Sequence, residues 1–357
     1  MASIISGTGI AIPETVTTNH DLARIMDTDD EWISTRSGVK QRHLSLPGHG
    51  SSELAAAAGA AAITDAGLHE SQIEALITAT MTPDYYAPGI SALVQEKIGL
   101  GAIPAFDLRQ QCSGFLYALD LADCLISANR AEKVLVVGAE THAGFIPWGK
   151  RNADGSFPEP DDSQRDLNNR TRSWSVLFGD GSGAMVVQKA EGEDGVIASR
   201  LFTDGSQFEL ILVPGVGSRH QPYIDQAQLD EGLHLPVMDG AGLYRSAVRL
   251  MPEAVRQVCQ KAGVEVEELD LVIAHQANDR ILEGVRKQLG LSAEKVPSNI
   301  GKYGNTTAGT LPILFHEMRQ HGRVGPGALI CFTAFGAGAH WGAVLYREPE
   351  AKPPPRN

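Results

Sequence analysis

Short apolar runs rich in β-branched residues alternate with helix-length stretches along the whole chain. Residues 76–80, 133–137, 184–187, 271–274, 328–332 and 342–346 read as strands. Their alternation with helical segments predicts an α/β fold whose strands are covered by helices. Two segments break the pattern. Residues 150–172 are polar and rich in Pro, Asp, Asn and Arg, which predicts a long surface loop. Loops of that length are uncommon unless they bind something or lack fixed structure. Residues 348–357 contain the consecutive Pro353, Pro354 and Pro355 and predict a disordered tail.

The hydrophobic pattern also repeats at long range. Residues 73–100, IEALITATMTPDYYAPGISALVQEKIGL, run parallel to 268–291, ELDLVIAHQANDRILEGVRKQLGL. Each reads as an apolar strand, a polar loop, a helix and a hydrophobic-Gly-Leu stop. IPAFDLRQQCSG (103–114) then lies against VPSNIGKYGNTT (296–307), and KVLVVGAETHAGF against ALICFTAFGAGAHWG. Setting Pro104 over Pro297 brings Cys112 opposite Asn305, each eight residues after its proline. Three pairs in the same order predict a duplication, with halves at 1–182 (including the loop 150–172) and 183–347. Related halves bring equivalent positions together near a shared pseudo-twofold axis.

Composition adds exclusions. The formal charge of −13 over 357 residues disfavours nonspecific nucleic-acid binding, which depends on neutralising phosphates. An acidic partner would need a local basic patch working against the overall field. Cys112, Cys124, Cys259 and Cys331 are too scattered for a disulfide framework or a zinc site. MASIISGTGIAIP lacks the charged and apolar regions of a signal peptide, and no stretch approaches the ~20 apolar residues of a membrane span. The expectation is a cytoplasmic protein with no membrane partner. Nothing in the sequence suggests a metal or redox cofactor.

The candidate chemistry lies where the repeat is most informative. Cys112 sits in RQQCSGFLYALDLADCLI, a polar turn followed by an apolar helical run. A cysteine at a helix N-terminus feels the positive end of the macrodipole, which favours the nucleophilic thiolate. Most lone cysteines are small core residues. Cys124, Cys259 and Cys331 read that way, whereas the turn and the repeat point to chemistry at Cys112. His275 ends the apolar run 271–274, and strand ends are where α/β folds gather catalytic groups. Alone it reads equally well as a structural histidine or as a base and donor near neutral pH. Asn305 in KYGNTTAG alone reads as a turn or cap, yet the repeat sets it opposite Cys112. A soft nucleophile, a histidine and an amide are what thioester condensation needs. The thiol takes an acyl group, two neutral donors stabilise an enolate oxygen, and backbone N–H groups hold the tetrahedral oxyanion. The glycine-rich 335–338 run suits such a hole.

GTGIAIPE, DTDDEWISTRSGVKQRH, the cysteine segment, LFGDGSGAMV, AHQANDRI, KYGNTTAGT and FGAGAHWG stand in an order and spacing that covers nearly the whole chain. In these motifs the sequence resembles the β-ketoacyl-acyl-carrier-protein synthase III family of thiolase-fold condensing enzymes. The resemblance implies a thiolase-like five-layer αβαβα homodimer made of duplicated halves. It implies Cys112, His275 and Asn305 as the catalytic triad and the N–H groups of Cys112 and Ala337 as the oxyanion hole. Trp32 and Arg172 match residues that sandwich the adenine of coenzyme A, and Arg36 matches a coenzyme A contact. The coenzyme A thioester is then a substrate, and acyl carrier protein is the second partner.

Arg245, Arg249 and Arg256 fall within about 40° of one another on a helix, and Arg280 and Lys287 share a face. Such stripes are often simply solvated. In an acidic chain of this resemblance they suggest carrier-protein docking at Arg245, Arg249, Arg280 and Lys287. Two positions depart from members that prime with acetyl groups. Ala87, expected to reach the partner subunit's acyl pocket, and Ala339 stand where phenylalanine is common. With Phe335 they make up the expected acyl-binding set and suggest a medium or long primer. The loop 150–172 is expected to reshape the coenzyme A entrance. Other readings stay open: transfer of the acyl group to another nucleophile, a specialised-metabolite synthase, or a papain-like peptidase, which uses the same three residue types.

Overall fold

The structure, a computed structural model, describes residues 2–192 and 194–350. One sheet has five strands: β1 (Ala2–Ala11), β2 (Ala75–Ala79), β3 (Ala105–Leu108), β4 (Lys133–Glu140) and β5 (Gly181–Ala190), in the order β1-β5-β4-β2-β3. The second large sheet has four: β6 (Gly195–Thr203), β7 (Leu271–Ala274), β8 (Leu329–Gly336) and β9 (His340–Arg347), in the order β6-β9-β8-β7. In the first sheet β5 runs antiparallel to β1 and β4, and β2 is parallel to β4. In the second, β9 is antiparallel to β6 and β8, and β7 is parallel to β8. The two sheets therefore agree strand for strand in order and direction. Only β3 lacks a full counterpart among the described residues. A single rung remains there: Val272 N donates to Lys295 O at 2.7 Å, as Leu76 N donates to Pro104 O at 3.0 Å.

The helices used below are α1 (Asp30–Ser37), α2 (Ser51–Asp65), α3 (Gly114–Ser127), α4 (Asp162–Ser175), α5 (Gly240–Ala262), α6 (Asp279–Leu289) and α7 (Thr310–Gln320). Helix α2 packs on β1, β4 and β5; α3 and α7 contact strands of both sheets; α5, with α6 beside it, packs on β6, β8 and β9. The layer order is αβαβα. Position in the layers explains the sequences. Helix α3 is enclosed between sheets, so Phe115, Leu116, Ala118, Leu119, Ala122 and Ile126 are all buried. Helix α5 has one dry side, and its stripe of Leu250, Met251, Ala254, Val255 and Val258 faces inward while Arg245, Arg249 and Arg256 are exposed.

Three expectations need correction. Residues 150–172 are not one loop, because α4 begins at Asp162, with the Asp161 carboxylate accepting from Gln164 N at 2.8 Å. Helix α4 escapes hydrophobic periodicity because polar bonds fasten it. Asn168 Nδ2 donates to Ile25 O at 2.9 Å, Gln164 Nε2 to Pro147 O at 2.8 Å and Arg165 to Arg24 O at 2.9 Å. The boundary at 182/183 cuts β5, which belongs entirely to the first sheet, so the change of sheet comes after Ala190. The expected tail does not start at 348. Glu348 is buried, its N–H bonds Ala328 O at 2.9 Å, and its carboxylate meets Arg319. Residues 351–357 lie outside the described residues.

The middle layer is tightest where strand β4 passes the turn before α7. A Cβ built on Gly138 would stand 2.3 Å from the carbonyl oxygen of Ala308. That neighbour is backbone and cannot swing aside. Gly138→Ala is expected to lower stability by about 1–3 kcal/mol, read from urea unfolding midpoints. Gly101→Ala, whose Cβ meets nothing within 4 Å, should change it by less than ~1 kcal/mol.

Candidate active site

Cys112, His275 and Asn305 line one cavity of about 130 Å³ whose other walls include Leu177, Phe178, Ile211, Leu243, Met251 and Phe335. A larger cleft of about 620 Å³ holds none of the three. Cys112 belongs to the short turn Gln111–Ser113 that leads into α3. The turn is anchored by Ser113, whose Oγ donates to His340 O at 2.8 Å and whose N–H donates to Gln110 O at 3.0 Å. Gly336, the last residue of β8, crosses so closely that a Cβ there would stand 3.0 Å from the nitrogens of both Cys112 and Ser113. Ala337 follows directly, in the turn that joins β8 to β9.

His275 is the first residue beyond β7, and its N–H donates to Thr333 O at 2.9 Å. Its Nδ1 lies 2.7 Å from Thr310 Oγ1, which is itself 2.8 Å from Thr307 O. Thr310 has one hydroxyl proton for two acceptors. When the hydroxyl donates to Nδ1, the ring proton sits on Nε2 as a donor; when it donates to the Thr307 carbonyl, Nδ1–H donates to Oγ1 and Nε2 carries the lone pair. Asn305 is threaded into a backbone bridge, its N–H donating to Leu177 O at 2.8 Å and its carbonyl accepting from Gly179 N at 3.1 Å. Thr307 N donates to Asn305 Oδ1 at 2.8 Å, which orients the amide so that its NH2 is the group open to a ligand.

The three side chains are buried, and this changes the electrostatics expected from the sequence. Burial, followed by the charge of Glu140, pushes the Cys112 thiol up to about 12. The helix end was expected to favour thiolate, but a partial dipole charge does not offset loss of hydration around a full charge. The resting group is a thiol. Burial likewise pushes His275 down to about 3, so the ring is neutral and can receive that proton.

The remaining expected residues divide. Trp32, Arg36 and Arg172 come together, with the two guanidinium groups 4.7 Å and 4.9 Å from the centre of the indole. Arg172 also donates to Asp27 O, and Asn169 in the same helix bonds Asp27 Oδ2 at 2.8 Å. Phe335 lines the Cys112 cavity, whereas Ala87 and Ala339 do not. Ala339 is buried in the core outside the second sheet and Ala87 is exposed in this single chain. Arg245 and Arg249 on α5 and Arg280 and Lys287 on α6 are exposed; Arg249 lies 3.9 Å from Glu253, and Arg280 donates to Thr35 O at 3.1 Å. Two buried polar residues beside the site escaped the sequence reading, Thr310 and Glu140. The available signals were a hydroxyl in an otherwise apolar helix start and a carboxylate closing an apolar strand.

Because its ring is neutral and anchored through Nδ1, His275 should show no protonation step between about pH 5 and 8 in an NMR titration of ¹⁵N-labelled histidines. Thr310→Val should disturb its Nδ1 resonance specifically.

The chain matches the family model described as 3-oxoacyl-[acyl-carrier-protein (ACP)] synthase III over residues 106–157 and 161–205, and the model of its C-terminal part over 259–348. It is 40% identical over 347 residues to the β-ketoacyl-[acyl-carrier-protein] synthase III of Aquifex aeolicus, covering 97% of this chain and 100% of that one. The crystal structure of the Aquifex aeolicus 3-oxoacyl-[acyl-carrier-protein] synthase III superposes with a TM-score of 0.83 at 39% identity, covering 97% of this chain and 100% of the other. That of the Pseudomonas aeruginosa enzyme does so with 0.84 at 35%, covering 99% and 100%. The fold is thus thiolase-like, which removes the papain-like reading. Similarity of this degree along almost the full length, together with the paired strand orders, means that the chain belongs to the 3-oxoacyl-[acyl-carrier-protein] synthase III family of acyl-transferring condensing enzymes.

Proposed function

We propose that the chain moves an acyl group from coenzyme A to Cys112 and then condenses it with malonyl-acyl-carrier-protein, releasing carbon dioxide and a 3-oxoacyl-carrier protein. The observation that carries this reading is the convergence of Cys112, His275 and Asn305 in one apolar cavity. In the first half-reaction the thiol attacks the thioester carbonyl while His275 Nε2 takes its proton. The N–H groups of Cys112 and Ala337 receive the oxyanion, and the coenzyme A thiolate leaves with that proton. In the second, the malonyl thioester loses carbon dioxide, and the Asn305 amide and His275 Nε2–H donate to the enolate oxygen. The new carbon–carbon bond forms at the acyl carbonyl and Cys112 departs. The Thr310 hydroxyl, turning between Nδ1 and the Thr307 carbonyl, supports both uses of the same ring.

Trp32, Arg36 and Arg172 form the coenzyme A subsite in this reading. An adenine between Trp32 and Arg172 requires the guanidinium to lift from the indole, so α4 adjusts the entrance. Arg245, Arg249, Arg280 and Lys287 offer the basic patch for an acidic carrier protein, the local counterweight to a chain of formal charge −13. A homodimer brings Ala87 to the partner's acyl pocket, and its small side chain supports a medium or long primer; Ala339 lends no support, since it does not line the Cys112 cavity. No cofactor beyond the coenzyme A thioester is needed for these steps.

Intact mass after incubation with acyl-CoAs of graded length tests the first half-reaction. An acyl adduct is expected on the wild type and none on Cys112→Ala, with chains longer than acetyl preferred; a strong preference for acetyl-CoA would overturn the primer assignment. Asn305→Ala should still acylate, yet release carbon dioxide from malonyl-acyl-carrier-protein more slowly by about 100-fold or more, the usual effect of removing one such donor.

A further inference from the structure

Helix α4 is clasped to the segment that leads into α1, and the clasp lies one helical turn from the pair of Trp32 and Arg172. Asp27 N donates to Asn169 Oδ1 at 2.7 Å, and Asn169 Nδ2 donates back to Asp27 Oδ2 at 2.8 Å. Asp27 offers one N–H and one carboxylate oxygen, so its partner must present an acceptor and a donor together, which a side-chain amide does. Asn169 stands three residues before Arg172 on α4, and side chains at that spacing are neighbours. Arg172 reaches the same residue, donating to Asp27 O, while its guanidinium lies 4.9 Å from the centre of the Trp32 indole. The other carboxylate oxygen of Asp27 lies 3.8 Å from Arg165 Nη1. Two residues on, Asp29 caps α1, its carboxylate accepting from Trp32 N at 2.6 Å. Asn169 is thus tied, through Asp27 and a short piece of backbone, to both walls of the slot.

We propose that Asn169 is a positioning residue for the nucleotide end of coenzyme A: it holds α4 against the 24–29 segment while the Arg172 side chain moves to admit the adenine. This role rests on the reading of Trp32 and Arg172 as the coenzyme A subsite. A ring in ordinary contact on both faces needs about 7–8 Å between indole and guanidinium. The present separation is 4.9 Å. The guanidinium must therefore travel about 2–3 Å to make that room, and in doing so it gives up Asp27 O. A long unbranched stem allows Arg172 this movement. The two bonds of Asn169 do not involve the moving group, so they persist when Arg172 has let go. On the buried side Asn168 Nδ2 donates to Ile25 O at 2.9 Å. Asn168 fixes the inner face of α4, and Asn169 fixes the face beside the slot.

The test is steady-state kinetics of the full chain with octanoyl-CoA and with octanoyl-pantetheine, which lacks the nucleotide. Asn169→Asp keeps the shape and the acceptor for Asp27 N but sets two carboxylates against each other. It should raise KM for octanoyl-CoA about five- to tenfold, the equivalent of one hydrogen bond of ~1–1.4 kcal/mol. The kcat and the kinetics with octanoyl-pantetheine should stay as in wild type, a split that marks lost binding rather than lost chemistry. Adding Asp27→Asn supplies a donor to the new carboxylate, and the double variant should return to within about twofold of wild type. A KM that does not move, a loss shared equally by the two primers, or a double variant no better than Asn169→Asp overturns the role of Asn169. Trp32→Ala separates this outcome from failure of the subsite. If it leaves KM for octanoyl-CoA unchanged, the nucleotide does not bind there and the role of Asn169 falls with the subsite. If it raises KM and Asn169→Asp does not, only Asn169 is displaced.

Discussion

Two short turns, one from each half of the chain, touch in the layer between the sheets, and the site exists because they can approach so closely. Gln111–Ser113 starts α3 and Thr307–Gly309 precedes α7. Each turn is crowded by a strand end of the opposite half that carries no side chain at the crossing. Gly336 passes over Cys112 and Ser113, and Gly138 passes against Ala308. Interiors are packed to crystal density, so a methyl group at either crossing would push a nucleophile or an amide support out of place. The fold puts its smallest residues where its chemistry needs the least distance.

Enclosure by both sheets then sets the charge states. A thiol raised to about 12 and an imidazole lowered to about 3 are two neutral partners, and proton transfer between neutral groups creates charge only when a substrate is present to use it. Desolvation outweighs the helix dipole because the dipole offers partial charges at one turn while burial removes the hydration of a whole ion. The same enclosure makes neighbouring hydroxyls matter. The Thr310 hydroxyl holds the ring of His275, and the Thr307 backbone N–H holds the amide of Asn305, work that water would do at an exposed site.

The entrance follows different physics. Helix α4 has a polar sequence and is held by side-chain bonds to the carbonyls of Arg24, Ile25 and Pro147. Bonds of that kind contribute about 1 kcal/mol each, and Trp174 at the other end of the helix adds apolar packing against Ile25, Trp148 and Phe178. The helix carries Arg172 onto Trp32, where α1 also supplies Arg36.

Much of this was legible in the chain. Apolar runs gave six of the nine strands of the two large sheets, β7 to the residue, and missed β1, β3 and β6; the repeat gave the duplication and set Cys112 opposite Asn305. Those features are local or pairwise, written in spacing that a fold must respect. The helical nature of 162–175 was hidden because its anchors are polar atoms on other segments, which leave no periodic trace. Ala339 was assigned to the acyl pocket by its place in a motif, yet a residue's facing is set by what packs on either side of the turn. Glu140 and Thr310 were silent for the same reason. The sequence by itself determined which residues meet, because hydrophobic register and duplication are properties of order along the chain. Only the tertiary structure decided what state they meet in, because solvation and hydrogen-bond partners come from segments far away in sequence.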